Sequence, residues 1–559
     1  MFANRKPIWT KLFALLIVGS LILSACGAPT ATVVEKEVGE PEPTATSAPE
    51  PEPEMAETLV VGLGAGFPDV DPNTTTATRV GGIAINMVDP LIWQPELGTF
   101  EPGLATEWSV SEDATEYTFK LREDVKFHDG TPFNAAAVKF TFDRIVNPEA
   151  KSQTALSLIG PYKETEIVND YEVIVRFETS YAPFLDSVSQ PYLAPVSPTA
   201  FERVGEEDWG ITEFVATGPY KFISFVADSE VILERNDDYA WGPAWTGQSG
   251  PPKIKKIVYK IISELATRTA TLETGETQLI EEVNEIDFDR LKDDPNYLTV
   301  ENPLPGSGRS LMINQMRPPT DELAVRRAMQ QGINKQGMVD IVWNGFGSPA
   351  CGPLTKSMVC FDPAMCELHP YDPEAAKQVL EDAGWVDTDG DGIREKDGNK
   401  LVIDFYYRGD QKLNAAIGDF LKIDLAQIGF EVNLFGLSRS GYFDAVRSGL
   451  HNFQGWYEPL TDPDLMRIFF HSDNVGGGTN RNNYINEEMD RLLDEAAGET
   501  DVAKRCELYG QIQKKVKDEA IQIFLNDLVQ LFVHTSKLTG VEYYLGGVLP
   551  YYRLAELRQ

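Results

Sequence analysis

Two groupings of side chains are spaced for chemistry, and both hold something in place rather than transform it. Asp387, Asp389 and Asp391 alternate along a run that continues through Gly392, Ile393 and Glu395. This is the spacing by which oxygen ligands converge on one hard cation. Ile393 would offer its carbonyl and Glu395 a further carboxylate, but Gly398 stands where a full calcium loop ends on a bidentate glutamate. The run reads as a weakened structural calcium site or as a polar hairpin turn, structural in either case. The second grouping is Cys351, Cys360, Cys366 and Cys506. An even set outside the cytoplasm favours disulfides, with the pairing left open. Zinc is the rival, but the spacing matches no common zinc pattern and no histidine pair accompanies it.

Enzymatic chemistry finds little support. The five histidines, His128, His369, His451, His471 and His534, form no metal-binding pair on one helix, and no nucleophile elbow or phosphate loop occurs. Gly62, Gly64 and Gly66 lack the spacing of a dinucleotide-binding turn. No cofactor is required beyond the possible calcium ion. Carboxylates are abundant enough to keep a secreted hydrolase as the alternative of a different class.

A fifth cysteine, Cys26, sits in another context. Arg5, Lys6 and Lys11 precede an apolar run from Leu12 to Leu23, the order of an export signal and too short to span a bilayer comfortably. The run closes on Leu23-Ser24-Ala25-Cys26-Gly27, which resembles a bacterial lipobox, cleaved before Cys26 and lipidated on its thiol. Several acyl chains on one cysteine hold stably where a single chain would not. Residues 27–57, rich in proline, glutamate and threonine, cannot build a core and read as an extended tether. The expected location is the cell envelope, on the outer face of the cytoplasmic membrane. A formal charge of −37 over 559 residues argues against a nucleic-acid partner.

The body mixes strands and helices. Tyr117–Arg122 alternates apolar and polar residues, as a half-buried strand does, and Glu172–Phe177 is β-branched enough for a more buried one. Asp372-Pro373-Glu374 opens a helix whose apolar face is Ala376, Val379, Leu380 and Ala383, ended by Gly384. A second helix follows Asn486, and a third carries Val325, Ala328, Met329 and Ile333. The class is α/β with several domains.

Gly103–Ser109, Tyr117–Arg122 and Val125–Phe133, then Thr217–Lys221 with Glu234–Tyr239, Asn314 with Val325–Ala328, and Tyr371–Trp385, run in a familiar order. Together they are similar to the solute-binding proteins of peptide and nickel ABC importers, extracellular solute-binding family 5. The resemblance implies a periplasmic-binding-protein-like fold with two lobes hinged about a ligand and an extra inserted domain. Domain I would comprise residues 57–97, 211–306 and 526–559, domain II 98–210, and domain III 307–525. It also implies a monomer that captures a small solute, a peptide above all, and delivers it to ABC permease subunits. Oligosaccharide, nickel and haem carriers are the variants.

Peptide binders of that family hold the peptide amine with an aspartate shortly after a tryptophan. Here the segment reads Trp456-Tyr457-Glu458-Pro459-Leu460-Thr461-Asp462-Pro463, with Pro459 in the aspartate's place and Glu458 before it. Trp456, Tyr457, Glu458 and Asp462 are therefore the expected ligand contacts. Glu458 would pair with an ammonium, and Trp456 or Tyr457 could stack on a sugar ring instead. Asp89 and Trp93 are expected where domain I approaches the cleft.

Overall fold

The alternating run near Tyr117 forms the strand Glu116–Leu121, with Tyr117, Phe119 and Leu121 turned inward. Its partner Glu172–Phe177 likewise buries Val173, Val175 and Phe177. With Ala105–Val110 and Tyr162–Asn169 they make an antiparallel sheet of four strands. The computed structural model describes residues 55–75, 79–150, 152–476 and 478–559. Cys26 and nearly all of the tether lie outside the described residues.

A second sheet of seven strands gathers distant parts of the chain. In order, its strands are Tyr297–Pro303, Val529–Thr535, Leu279–Glu281, Thr58–Leu63, Lys256–Ile261, Glu230–Arg235 and Tyr220–Val226. Thr58–Leu63 lies parallel to both of its neighbours, as crossover connections require. Leu59, Val61, Tyr117, Phe119 and Val173 belong to one continuous core, so these two sheets form a single lobe. The hairpin of Ile92–Glu96 with Thr99–Pro102 straddles the expected boundary at residue 98, because paired strands cannot be parted between domains.

The other lobe is built on a sheet of six strands: Ser348–Pro349, Gln522–Asp527, Ser307–Ile313, Phe453–Glu458, Val402–Arg408 and Glu431–Leu437. Side chains alternate across it, Leu311 and Ile313 joining one core and Met312 the other. Helix Pro373–Asp382 covers the first face, its start fixed by Asp372 accepting from the Ala375 N–H. Helices Glu487–Gly498 and Val502–Asp518 cover the second. Asn526 and Asp527, expected in the first lobe, complete the strand Gln522–Asp527 of this one. Cys351 pairs with Cys366, and Cys360 with Cys506, which fastens an irregular stretch to helix Val502–Asp518. Among the described residues no helix is long and apolar enough to cross a membrane.

The chain crosses between lobes on two adjacent strand continuations, Pro303 to Ser307 and Asp527 to Val529. A hydrogen bond of 2.9 Å from the Leu304 N–H to the Leu528 carbonyl ties them together. Gly306 adopts φ of +100° there, a conformation that glycine reaches without strain. A Cβ at this position would also strike the Glu458 carbonyl, so the crossing and the end of strand Phe453–Glu458 are packed together.

Candidate ligand cleft

Strand Phe453–Glu458 runs antiparallel to Ser307–Ile313, with Ser310 opposite Trp456 and Ser307 opposite Glu458. The register slips between Ser307 and Ser310, and again toward Gln522–Asp527 between Arg309 and Ser310. Such a bulge re-aims a side chain out of the ladder. Here it carries Arg309 over the ring of Tyr457, with Cζ 4.7 Å from the ring centroid. Arg481 lies in the same way over Trp456 at 4.3 Å and over Phe443 at 5.3 Å. Its backbone carbonyl meets His451 Nε2 at 3.0 Å, which fixes this stretch against strand Phe453–Glu458.

The electrostatics of the two arginines are unusual. Arg309 is 9% exposed, and among the described residues none offers it a hydrogen bond or an ion pair. Its Nε is buried with no acceptor, as is one Nη of Arg481. Burial holds both guanidinium pKa values below their ordinary range. Tyr442 stands near both. Burial pushes its phenol up to about 12, with Arg481 and Arg309 pulling it back, and its hydroxyl donates to Gln454 Oε1. Glu458 is raised by burial, with Trp456 and Arg481 acting against the shift.

Beyond Glu458 the chain docks on the first lobe. Leu460 packs against the cores of both lobes. Thr461 donates to Asp186 Oδ2 at 2.8 Å, and Gln190 Nε2 bridges Thr461 and Asp186 at 3.0 and 2.9 Å. The Ala182 N–H donates to the Ala497 carbonyl at 2.7 Å. A cavity of about 600 Å³ opens beside these contacts, lined by Ser180, Tyr181, Asp186, Asp464, Arg467 and Asp494.

Three expected ligand contacts prove to be committed within the protein. Both oxygens of Asp462 are taken by Arg505, at 2.7 and 2.8 Å. Asp89 accepts from Tyr239, Trp241 and Thr217 at 2.7 to 2.9 Å and is buried, so its carboxylate is committed to the protein interior. Trp93 is 1% exposed and packed by Trp245, Tyr544 and Tyr551. Trp456, Tyr457 and Glu458 do stand together, joined by Arg309, Arg481 and Tyr442, which sequence reasoning missed. A signal was present: an arginine inside the otherwise uncharged strand Ser307–Ile313.

The aspartate-rich loop is remote from this cleft. Oxygens of Asp387, Asp389, Asp391 and Glu395 lie within 4.8 Å of one another, the convergence a cation needs. Lys400 reaches into the same group, paired to Asp391 and 4.0 Å from Asp389, and backbone N–H groups of Gly390 and Gly392 cap Asp387. The loop thus holds itself together as a turn using the same oxygens that a calcium ion would take.

The sequence pattern of the bacterial extracellular solute-binding proteins, family 5 (Middle), matches residues 99–477. The chain belongs to this family. Among similar proteins, the nickel-binding periplasmic protein of Escherichia coli (strain K12) is 29% identical over 467 residues, 81% of this chain and 86% of that protein. The glutathione-binding protein GsiB of Pectobacterium atrosepticum is 27% identical over 497 residues, 87% of this chain and 91% of that one. The crystal structure of NikA from Brucella suis in complex with Fe(III)-EDTA superposes with a TM-score of 0.77. It is 26% identical and covers 90% of this chain and all of that one. This family 5 protein is accordingly a substrate-binding component of an ABC importer, and the family is one of solute binders rather than enzymes.

Proposed function

We propose that this family 5 protein captures a short peptide between its lobes and hands it to its permease while anchored to the membrane through lipid on Cys26. The observation that carries the peptide reading is Glu458. Its carboxylate lies at the end of strand Phe453–Glu458, partly withdrawn from water, and no ion pair to it occurs among the described residues. Desolvation strengthens any pair it makes with an ammonium group. Strand Phe453–Glu458 is immediately followed by residues that touch the first lobe, so a ligand held here lies next to the contact between the lobes. Contacts made on both lobes exist only when the cleft is closed, and the ligand therefore shifts the hinge equilibrium toward closure.

The test is native mass spectrometry of the compact unit, residues 53–559, purified without denaturation. Bound masses that fragment into amino-acid residues are expected, and Glu458→Gln should abolish their retention. Hexose-spaced masses, or a bound metal alone, would overturn the peptide reading. The lipid anchor is tested separately: Cys26→Ser should release the chain from the membrane into the soluble fraction.

A further inference from the structure

Buried arginines in this chain almost all have oxygen acceptors. Arg144 donates to Asp71, Arg268 to the carbonyls of Ile262, Glu281 and Glu282, Arg326 to those of Thr320 and Glu519, and Arg553 to those of Gln248 and Gly250. Arg394 is held by Trp385, Ile428 and Glu381. Arg309 is the exception among the described residues, buried as they are and without any acceptor. The exception is the more telling in a chain with 86 acidic and 49 basic residues, where a carboxylate is the commonest neighbour available. A buried charge left unpaired is strongly destabilising, so a fold retains one where something else completes it.

The geometry says what that something is. Tyr457 covers one face of the Arg309 guanidinium and Trp456 one face of the Arg481 guanidinium. Stacking occupies the faces and orients the planes; no acceptor takes the in-plane edge of Arg309 among the described residues, and Arg481 keeps one Nη without an acceptor beside its contact with Tyr442. An open guanidinium edge matches a carboxylate in a bidentate fork. Each guanidinium stacks on its own ring, and Tyr442 stands near both. The two guanidiniums consequently offer two anion positions flanking Tyr442, which one carboxylate cannot fill. Glu458 is the next residue, and Arg481 is the cation that acts on its carboxylate.

We propose that the ligand is a short acidic peptide whose two carboxylates, one terminal and one on a side chain, are held by the stacked guanidiniums of Arg309 and Arg481. This rests on the peptide reading above and adds the charge of the peptide to it. Glu458 takes the amine, so the site selects a ligand with one positive and two negative groups. The overall negative charge of the chain gives no long-range help to such a ligand. Selection is therefore local, made in the cleft by these three side chains.

Isothermal titration calorimetry of the full chain in detergent micelles tests the proposal. The probes are Ala-Glu, Ala-Ala-Glu and Ala-Ala-Ala-Glu, each beside its Gln counterpart, together with glutarate, which carries two carboxylates and no amine. The best Glu peptide should bind roughly 10- to 100-fold more tightly than its Gln counterpart, the range for one charge-assisted hydrogen-bonded contact. Arg309→Met and Arg481→Met should each weaken the Glu peptide by a similar factor, and one of them should leave the Gln peptide unchanged. Arg309→Lys should recover only part of the loss, because an ammonium lacks the fork. Equal affinity for Glu and Gln peptides, no binding by any Glu peptide, or indifference to both arginine variants would overturn the proposal. Glutarate binding that matches the best peptide, and that is lost in Arg309→Met, would instead uphold the two anion positions while removing the peptide and its amine contact.

Discussion

Arg505 and Arg309 are the same side chain, both interior, in the same lobe, and they have opposite fates. Arg505 grips both oxygens of Asp462 and lies 5.3 Å from the Tyr509 ring centroid. Arg309 has an aromatic face and nothing more. The contrast extends to carboxylates, since Asp462 is paired while Asp186, across the lobe contact from it, keeps one oxygen buried and unpartnered. Where the protein supplies both members of a pair, the charge builds structure. Where it supplies one, the site stores unfavourable free energy that a ligand or a proton can relieve.

The sharpest way to break this comparison is to remove the paired arginine. Arg505→Ala leaves Asp462 buried beside Asp464 and Asp186 without its counter-charge. The expected loss is about 3–5 kcal/mol, the cost of halving a buried ion pair. Chemical denaturation of the second lobe should report it. A loss under about 1 kcal/mol would mean that the pair behaves as a surface bridge does.

Removing the unpaired arginine should act in the other direction. In ligand-free protein, Arg309→Met is expected to leave stability unchanged or to raise it by about 1–2 kcal/mol, because an unsatisfied buried group disappears. Addition of the best acidic peptide should then reverse the order. Wild type gains from mass action as ligand accumulates above its dissociation constant, and the variant does not. Thermal melts with and without peptide provide the check. A loss in Arg309→Met as large as that in Arg505→Ala would erase the distinction on which the comparison stands.

These two arginines also mark how far the sequence can be read. Helix Pro373–Asp382 was legible because its signals are local: a capping aspartate, a proline at the first position and a stripe at helical spacing. The strands Glu116–Leu121 and Glu172–Phe177 were legible because side chains alternate with the pleat. Glu458, Trp456 and Tyr457 were found through one contiguous segment. Arg309 and Arg481 were not, because each depends on a stacking partner far away in sequence and on a bulge that no periodicity announces. Asp89 and Asp462 misled for the complementary reason. A carboxylate near a cleft looks available until its partners are known, and Tyr239, Trp241 and Arg505 are remote in sequence.

The smallest expected effect concerns protons at the lobe contact. Burial first, and then the neighbouring charge of Asp462, raise the pKa of Asp186 above its ordinary value. The unfolded chain releases this proton near pH 4, whereas the folded protein keeps it to higher pH. Between those values the folded state binds more protons, so this group's contribution to stability is present at low pH and falls as pH rises through the window. His128 and His451 work oppositely. Burial lowers both to about 4, so stability is lost as pH falls below about 6.5, where the unfolded imidazoles take up protons. The whole-protein profile therefore mixes two trends, and the difference between wild type and Asp186→Asn isolates one. Asparagine can still accept from Thr461, and its amide can fill the place of the unpartnered oxygen. The variant should match wild type below about pH 4, where both states keep the proton, and exceed it increasingly as pH rises, by more than about 1 kcal/mol at pH 8, on the scale of one pKa unit. A difference that stays flat across this range would show that Asp186 is ionised and solvated throughout. The lobe contact would then belong with the paired charges around Arg505 rather than with Arg309.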